Sequence, residues 1–331
     1  ILISIYQISI YNNSPYIYNN SPMRLEIEVE DYDLNNTMLP SFISSLYINP
    51  SRNRWRKTAG FLRGKLELIQ RKGVLEVRCT ADISKKSLLE FTSMETGLWH
   101  EAFEYQISKL PSRFRTRVKI LAELYPGVRL PVAPWDFNYL LIAISLSKRA
   151  SYYNFVLPWC RMIFKRYGAD LNKIAKLSNL ELRGIGNSYQ LFELQKTLKS
   201  YIELIETSAL FKLSPEEARM KLMNCYGLGP KTIDSLILST FKAPHFIPCD
   251  VHLKNVFGRL ELIDLKNSKM PLKSYCIHYP CEACPRTQVC IRGKLCFLGE
   301  LGGWMQTLAY LHGKRYCHSN APKCNACKIC S

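Results

Sequence analysis

From Arg24 the chain alternates: Leu25, Ile27 and Val29 are apolar, and Glu26, Glu28 and Glu30 between them are acidic, the two-residue period of a half-buried strand. Residues 65–70 and 74–81 alternate in the same way around Arg71-Lys72-Gly73, which predicts a hairpin and an antiparallel sheet over residues 24–82. Beyond residue 87 the period becomes helical. Leu140, Leu141 and Ile144 form one stripe, and Phe155, Val156, Trp159, Met162 and Ile163 another. Gly184 and Gly186 mark a tight connection between helices. Ser214-Pro215-Glu216-Glu217 predicts a helix start, with Ser at the cap, Pro at the first helical position and Glu at the third; this helix runs towards Cys225. A further helix is expected from Pro230, with Ile233, Leu236 and Ile237 as its buried stripe. The fold class is therefore α+β: an N-terminal antiparallel sheet beside a mainly helical core, closed by a cysteine-rich C-terminal region.

Residues 1–22 differ from the rest. They repeat IYNNSP at 10–15 and 17–22 and contain no Lys, Arg, Asp or Glu. A secretory leader carries a basic start and an unbroken apolar stretch, and this segment has neither. The expectation is a low-complexity extension preceding a true start at Met23.

Composition narrows the function classes. The 331 residues include 45 Lys and Arg against 27 Asp and Glu, a formal net charge of +18. Such an excess favours anionic partners, nucleic acid first and an acidic membrane surface second, with a solvated basic surface as the plain alternative. No run approaches the roughly 20 apolar residues of a membrane-spanning helix. Nine of the 13 cysteines lie between Cys276 and Cys330, in C-x-x-C groupings that read first as metal ligands. Cys79, Cys160, Cys225 and Cys249 are scattered among apolar neighbours and read as small buried hydrophobes.

The most specific segment is Cys225-Tyr226-Gly227-Leu228-Gly229-Pro230-Lys231. Two glycines one apart allow a tight turn between helices, and the free amides of Gly227, Gly229 and the following helix start can hold a phosphate oxygen without any side chain. That is a helix-hairpin-helix grip on the DNA backbone; an ordinary αα-hairpin has the same local pattern. Lys231 falls in the first turn of its helix, where the dipole and partial burial lower its pKa. A neutral lysine can attack a sugar C1′ and form a Schiff base. Nineteen residues on, Ile247-Pro248-Cys249-Asp250-Val251-His252 supplies Asp250, which can take a proton or stabilise a cationic sugar. A surface Lys–Asp ion pair is the alternative.

GLGPK followed by IPCDVH resembles the signature of the helix-hairpin-helix DNA glycosylases that are also AP lyases, and the Lys-to-Asp separation is similar to that of the 8-oxoguanine DNA glycosylases. The resemblance implies Lys231 as Schiff-base nucleophile, Asp250 as its catalytic carboxylate and His252 near a DNA phosphate. Tyr125-Pro-Gly-Val-Arg-Leu130 with Pro134-Trp135 resembles the approach to the family's first core helix. Gly303-Trp304-Met305-Gln306-Thr-Leu-Ala-Tyr310 is similar to its last helix, where Gln306 would read the flipped base and Tyr310 pack on it. Leu39-Pro40-Ser41 and Gly60-Phe-Leu62 resemble parts of its N-terminal sheet domain. The similarity covers about residues 30–312, with gaps, and implies a sheet-containing domain over 23–120, a glycosylase core over 121–312 with a cysteine-rich insertion at 276–296, and a cysteine loop over 313–331.

Three departures bear on substrate choice. Lys148 and Arg149 stand where the family inserts an Asn pair at the orphaned cytosine; phosphate contact is their other reading. Asn187 and Ser188 replace its void-filling Tyr and cytosine-reading Arg. Phe42 replaces the Gly that recognises oxidised guanine. The resemblance implies excision of 8-oxoguanine from damaged duplex DNA, followed by β-elimination, with a modified-pyrimidine glycosylase and a non-catalytic DNA-binding protein as the other readings. It also implies a monomer in an intracellular compartment, cytoplasm, nucleoid or nucleus.

His312-Gly-Lys-Arg-Tyr-Cys317 opens the tail group Cys317, Cys324, Cys327 and Cys330, whose first three spacings resemble the [4Fe-4S] tail of endonuclease III. Cys276, Cys281, Cys284 and Cys290 form a second group whose last three members carry that family's spacing too, with Cys296 left over. Iron–sulfur or Zn suits either group, and two separate sites or one shared site remain open.

Overall fold

The computed structural model describes residues 22–206, 210–317, 323–327 and 329. The 1–22 extension, all but its last residue, and Cys330 lie outside the described residues. A five-stranded antiparallel sheet forms from β1 (Met23–Glu28), β2 (Tyr47–Ser51), β3 (Arg54–Lys57), β4 (Leu66–Arg71) and β5 (Val74–Cys79), in the order β1-β5-β4-β3-β2. The expected hairpin is the β4–β5 pair, turned at Gly73 with a φ of +71°. Register places Leu25 beside Val77, Val77 beside Leu68 and Leu68 beside Trp55, so one buried row crosses four strands. Strands β2 and β3 were not legible in the pattern, because Asn49-Pro50-Ser51-Arg52-Asn53 reads as a loop. Pro50 is tolerated because β2 is an edge strand.

Helix α1 (Lys85–Glu95) follows the sheet, and α2 (Ser112–Glu123) leads to α3 (Phe137–Leu146), which is buried along most of its length. α4 (Leu157–Tyr167) buries Trp159 and Ile163 as expected. Phe155 departs from its predicted stripe: it lies before the regular helix, is 52% exposed and stacks on Trp159. α5 (Tyr189–Glu206) precedes α6 (Pro215–Leu222), α7 (Pro230–Thr240), α8 (Val251–Arg259) and α9 (Gly302–Arg315). The capping box at Ser214 and Glu217 is formed in both directions. No described helix is long and apolar enough to cross a membrane.

Two apolar clusters organise these elements. One joins the sheet to residues 133–246 and includes Ile233, Leu236 and Ile237 of α7. The other joins residues 103–130 to residues 247–317 and includes Leu253 of α8 and Trp304, Met305 and Leu308 of α9. The chain passes from one to the other between Phe246 and Ile247, and Leu238 packs against both. A cleft opens along this seam.

Candidate active site

The cleft has a volume of about 350 Å³, and α7 lends it Lys231 while α8 and α9 lend it Asp250, His252, Gln306 and Tyr310. Phe42, Lys148 and Arg149 complete the wall. The structure thus gathers residues separated by up to 268 positions in the chain around one opening.

Lys231 sits in the first turn of α7, after Gly229 at the cap and Pro230 at the first helical position. Burial lowers its pKa, and the negative charge of Asp250 opposes that without cancelling it. Among the described residues it has no ion-pair partner, and its Nζ stands 5.3 Å from the centre of the Phe42 ring. An ammonium can use such a ring face, but neither ring nor helix start supplies a counter-charge.

Asp250 caps α8, its Oδ1 accepting from the Leu253 amide at 2.8 Å. Its other oxygen, Oδ2, accepts from Gln306 Nε2 at 3.4 Å. The carboxylate is therefore held by a helix start on one side and by α9 on the other. Tyr310, one turn after Gln306, faces His252 edge to face at 5.2 Å. Its hydroxyl is pushed up to about 12 by burial and by Asp250, so it stays protonated at neutral pH.

The glycines of the hairpin divide their work. Gly227 has a φ of +74°, and a Cβ there would stand 2.5 Å from Thr197 Oγ1, so side chains are excluded on two grounds. Gly229 is extended, with nothing within 4 Å of where a Cβ would stand, and its face is open to a ligand. Lys148 donates from Nζ to the Gly227 carbonyl at 3.1 Å, and burial lowers its pKa. It braces the turn from behind. Arg149 has a φ of +53° and lines the cleft mouth.

The tail brings together a residue that the spacing reading had not assigned as a ligand. His312, buried in the last turn of α9, places Nε2 3.1 Å from Cys327 Sγ. His312, Cys317 and Cys327 offer ligand atoms all within 4.8 Å of one another, the one such trio found among the described residues. Burial, then Arg259 and Arg315, lower the histidine's pKa to about 4, so it is neutral and able to ligate. Arg259 Nη1 donates to Cys317 Sγ at 2.6 Å. These residues fit a metal ion, with Cys324 as a further donor nearby in sequence. The signal for His312 was its place five residues before the first tail cysteine.

In the insertion, Cys276 is buried and Cys281, Cys284 and Cys290 are half-buried, while Cys296 is exposed. None of the described cysteines forms a disulfide. Cys79, Cys160, Cys225 and Cys249 are buried, as their apolar neighbours implied. Burial holds the Cys249 thiol well above its ordinary range, which suits packing rather than nucleophilic attack.

No family model matches the chain. It is similar to an endonuclease III of Sulfolobus acidocaldarius, 25% identical over 162 residues, which cover 49% of this chain and 61% of that protein. The chain thus spans less than two thirds of the length of this curated relative. Its fold is that of DNA-glycosylase structures. It matches Clostridium acetobutylicum 8-oxoguanine glycosylase/lyase, solved with dsDNA containing cytosine opposite 8-oxoG, at a TM-score of 0.64 and 13% identity, over 88% of this chain and 97% of that one. It also matches a 3-methyladenine DNA-glycosylase from Archaeoglobus fulgidus at a TM-score of 0.60 and 14% identity, over 88% of this chain and 98% of that one.

Proposed function

We propose that the chain is a base-excising DNA glycosylase with lyase activity. The observation that carries this reading is Lys231: a lysine of lowered pKa, without an ion-pair partner among the described residues, in a cleft that also holds Asp250. Duplex DNA is gripped through its phosphates by the Gly227–Gly229 turn, the start of α7 and His252. A damaged nucleotide is rotated out of the stack into the cleft, at a cost of a few kcal/mol that is smallest at a lesion.

Neutral Lys231 then attacks C1′. The C1′–N bond breaks, its electron pair leaves with the base, and the base gains a proton. Asp250 stabilises the cationic sugar and takes up the proton that Nζ loses. The sugar ring opens to a Schiff base, and loss of a C2′ proton expels the 3′ phosphate by β-elimination. Gln306 is tied to Asp250 through Nε2, which leaves Oε1 to accept from a base N–H. Phe42 and Tyr310 offer faces for stacking.

We assign 8-oxoguanine as the base, on Gln306 and Tyr310 together. A modified-pyrimidine substrate is the second reading, favoured by Lys148: engaged with the Gly227 carbonyl, it is not held ready to occupy the place of a flipped purine. The deciding experiment presents 8-oxoguanine, thymine glycol and abasic duplexes and measures base release and strand cleavage, with Lys231→Ala alongside. Lys231-dependent cleavage at 8-oxoguanine supports the first reading, and cleavage confined to thymine glycol supports the second. Binding without cleavage on any duplex overturns both.

A further inference from the structure

Phe42 is pinned at its backbone and at its ring. It opens the short 3-10 helix Phe42–Leu46, which is capped by Ser41, whose hydroxyl accepts from the Ile43 amide at 3.2 Å. The Phe42 carbonyl accepts two hydroxyls, Ser45 Oγ at 2.8 Å and Tyr152 Oη at 3.2 Å, which fills both of its lone pairs. Burial holds the Tyr152 phenol well above its ordinary range, so it keeps the proton it donates. Its neighbour Tyr153 donates to the Leu39 carbonyl and ties the same segment a second time. The Phe42 ring meets the Tyr152 ring edge to face, with 5.3 Å between centres.

These ties hold a ring over the nucleophile, Nζ of Lys231 standing 5.3 Å from its centre. Phe42, Tyr152 and α7 all pack into the first apolar cluster, whereas α8 and α9 pack into the second. Ring and amine therefore sit on one side of the seam, and Asp250, Gln306 and Tyr310 face them from the other. A ring face attracts an ammonium weakly, which by itself would favour the charged amine. The same ring takes the place of water around Nζ, and loss of water disfavours the charge more strongly. The second effect prevails, because burial is the largest influence on Lys231 and its pKa is lowered. The other charged and titratable groups lining the cleft are Lys148 and Arg149 after α3, Asp250 and His252 at the start of α8, and Tyr310 and Lys314 on α9. Of these it is Asp250 that acts on the amine, and it acts in the opposite direction.

We propose that Phe42 is the positioning residue of the nucleophile: its anchored ring keeps water from the Lys231 amine and fixes where that amine stands in the cleft. The ring and its anchors come from the sheet-bearing segment and from the turn before α4, so the amine owes its state to elements outside its own helix. The consequence for catalysis rests on the function proposed above; the hold of the ring on the amine does not.

The test titrates Lys231 in the full chain without DNA, by brief acetylation with acetic anhydride from pH 7 to pH 11 and mass spectrometry of the Lys231 peptide. In Phe42→Ala the midpoint is expected to rise by about one unit towards the ordinary 10.5, as water reaches the amine. Phe42→Leu keeps an apolar cover without a ring face, and its midpoint is expected to stay at or below that of the native chain. Tyr152→Phe keeps the packed volume and removes one anchor of the Phe42 carbonyl; its midpoint is expected to rise by a smaller amount. An unmoved midpoint in Phe42→Ala, or in Tyr152→Phe where Phe42→Ala does not fold, would overturn the proposal, as would a rise in Phe42→Leu matching that in Phe42→Ala. Borohydride trapping on an abasic duplex reads the catalytic consequence. At pH 7 Phe42→Ala is expected to trap about tenfold more slowly and to regain the native rate at alkaline pH. A loss that no pH restores would overturn the catalytic role of the ring. No trapping by the native chain at any pH would contradict the proposed function, while a shifted acetylation midpoint would still support the hold of Phe42 on Lys231.

Discussion

Lys57 and Lys231 are both lysines withdrawn from bulk water, and their surroundings act on them in opposite directions. Lys57, at the end of β3, is fully buried but meets Glu95 at 2.5 Å and Asp136 at 2.8 Å, with the rings of Tyr47 and Phe91 about it. Burial alone would lower its pKa, but the two carboxylates outweigh burial and hold it above the ordinary 10.5. Tyr47 donates to Glu95, and Asp136 also accepts the Phe61 amide at 2.7 Å, so the carboxylates are themselves anchored. Lys231 has a ring, a helix start and one more distant carboxylate, and its pKa falls. A buried lysine with paired carboxylates is a permanent cation that fastens the sheet to the helices. One without them can lose its proton and act as a nucleophile.

The largest effect expected from breaking this contrast is on chemistry. Lys231→Met should reduce borohydride-trapped adduct by a factor on the order of 10³ or more, while thermal unfolding shows stability unchanged or raised, since an unpaired buried amine is removed. Lys57→Met should do the reverse. It strands Glu95 and Asp136 in the interior and should cost roughly 3–5 kcal/mol in denaturant unfolding, with trapping per folded molecule kept. Asp250→Asn should slow base release on the order of 10²-fold in single-turnover assays. Its melting temperature should barely move, because Asn caps a helix about as well as Asp and can keep the Leu253 contact.

A subtler separation comes from pH. The folded-state pKa of Lys57 is raised, so its contribution to stability is fully present below 10.5 and is lost as pH climbs through the higher folded value. That of Lys231 is lowered, so its destabilising charge is fully present below the folded value and is relieved as pH rises from there towards 10.5. Unfolding measured from pH 7 to pH 11 should show the Lys231→Met gain disappearing across the alkaline range. The Lys57→Met cost should persist up to about pH 10.4 and shrink only beyond it. Parallel behaviour of the two variants would refute the contrast.

What the sequence disclosed is mostly what short-range chemistry dictates. The β4–β5 hairpin, the Ser214 capping box, the Gly227 turn and the Lys231 helix start each depend on neighbours within a few residues, so their spacing carries them. The Lys57 network was hidden because Glu95 and Asp136 lie 38 and 79 residues away, and the β2–β3 pair that presents Lys57 runs through a proline-containing segment. His312 was visible as part of a motif but not as a ligand candidate, since that depends on α9 ending over Cys327. The seam between the two apolar clusters, which makes the cleft, comes from residues 103–130 packing with residues 247–317, and no periodicity reports such pairing. Lys231 and Asp250 were legible as residues, but their sharing one opening became visible only in three dimensions.

The most direct test of the account is borohydride trapping on an abasic duplex followed by peptide mapping of the adduct. The account predicts a sugar-derived mass on the peptide carrying Lys231, at a yield that rises with pH and levels off below the ordinary 10.5 of a lysine. An adduct on any other lysine, or none while the DNA remains bound, would contradict it.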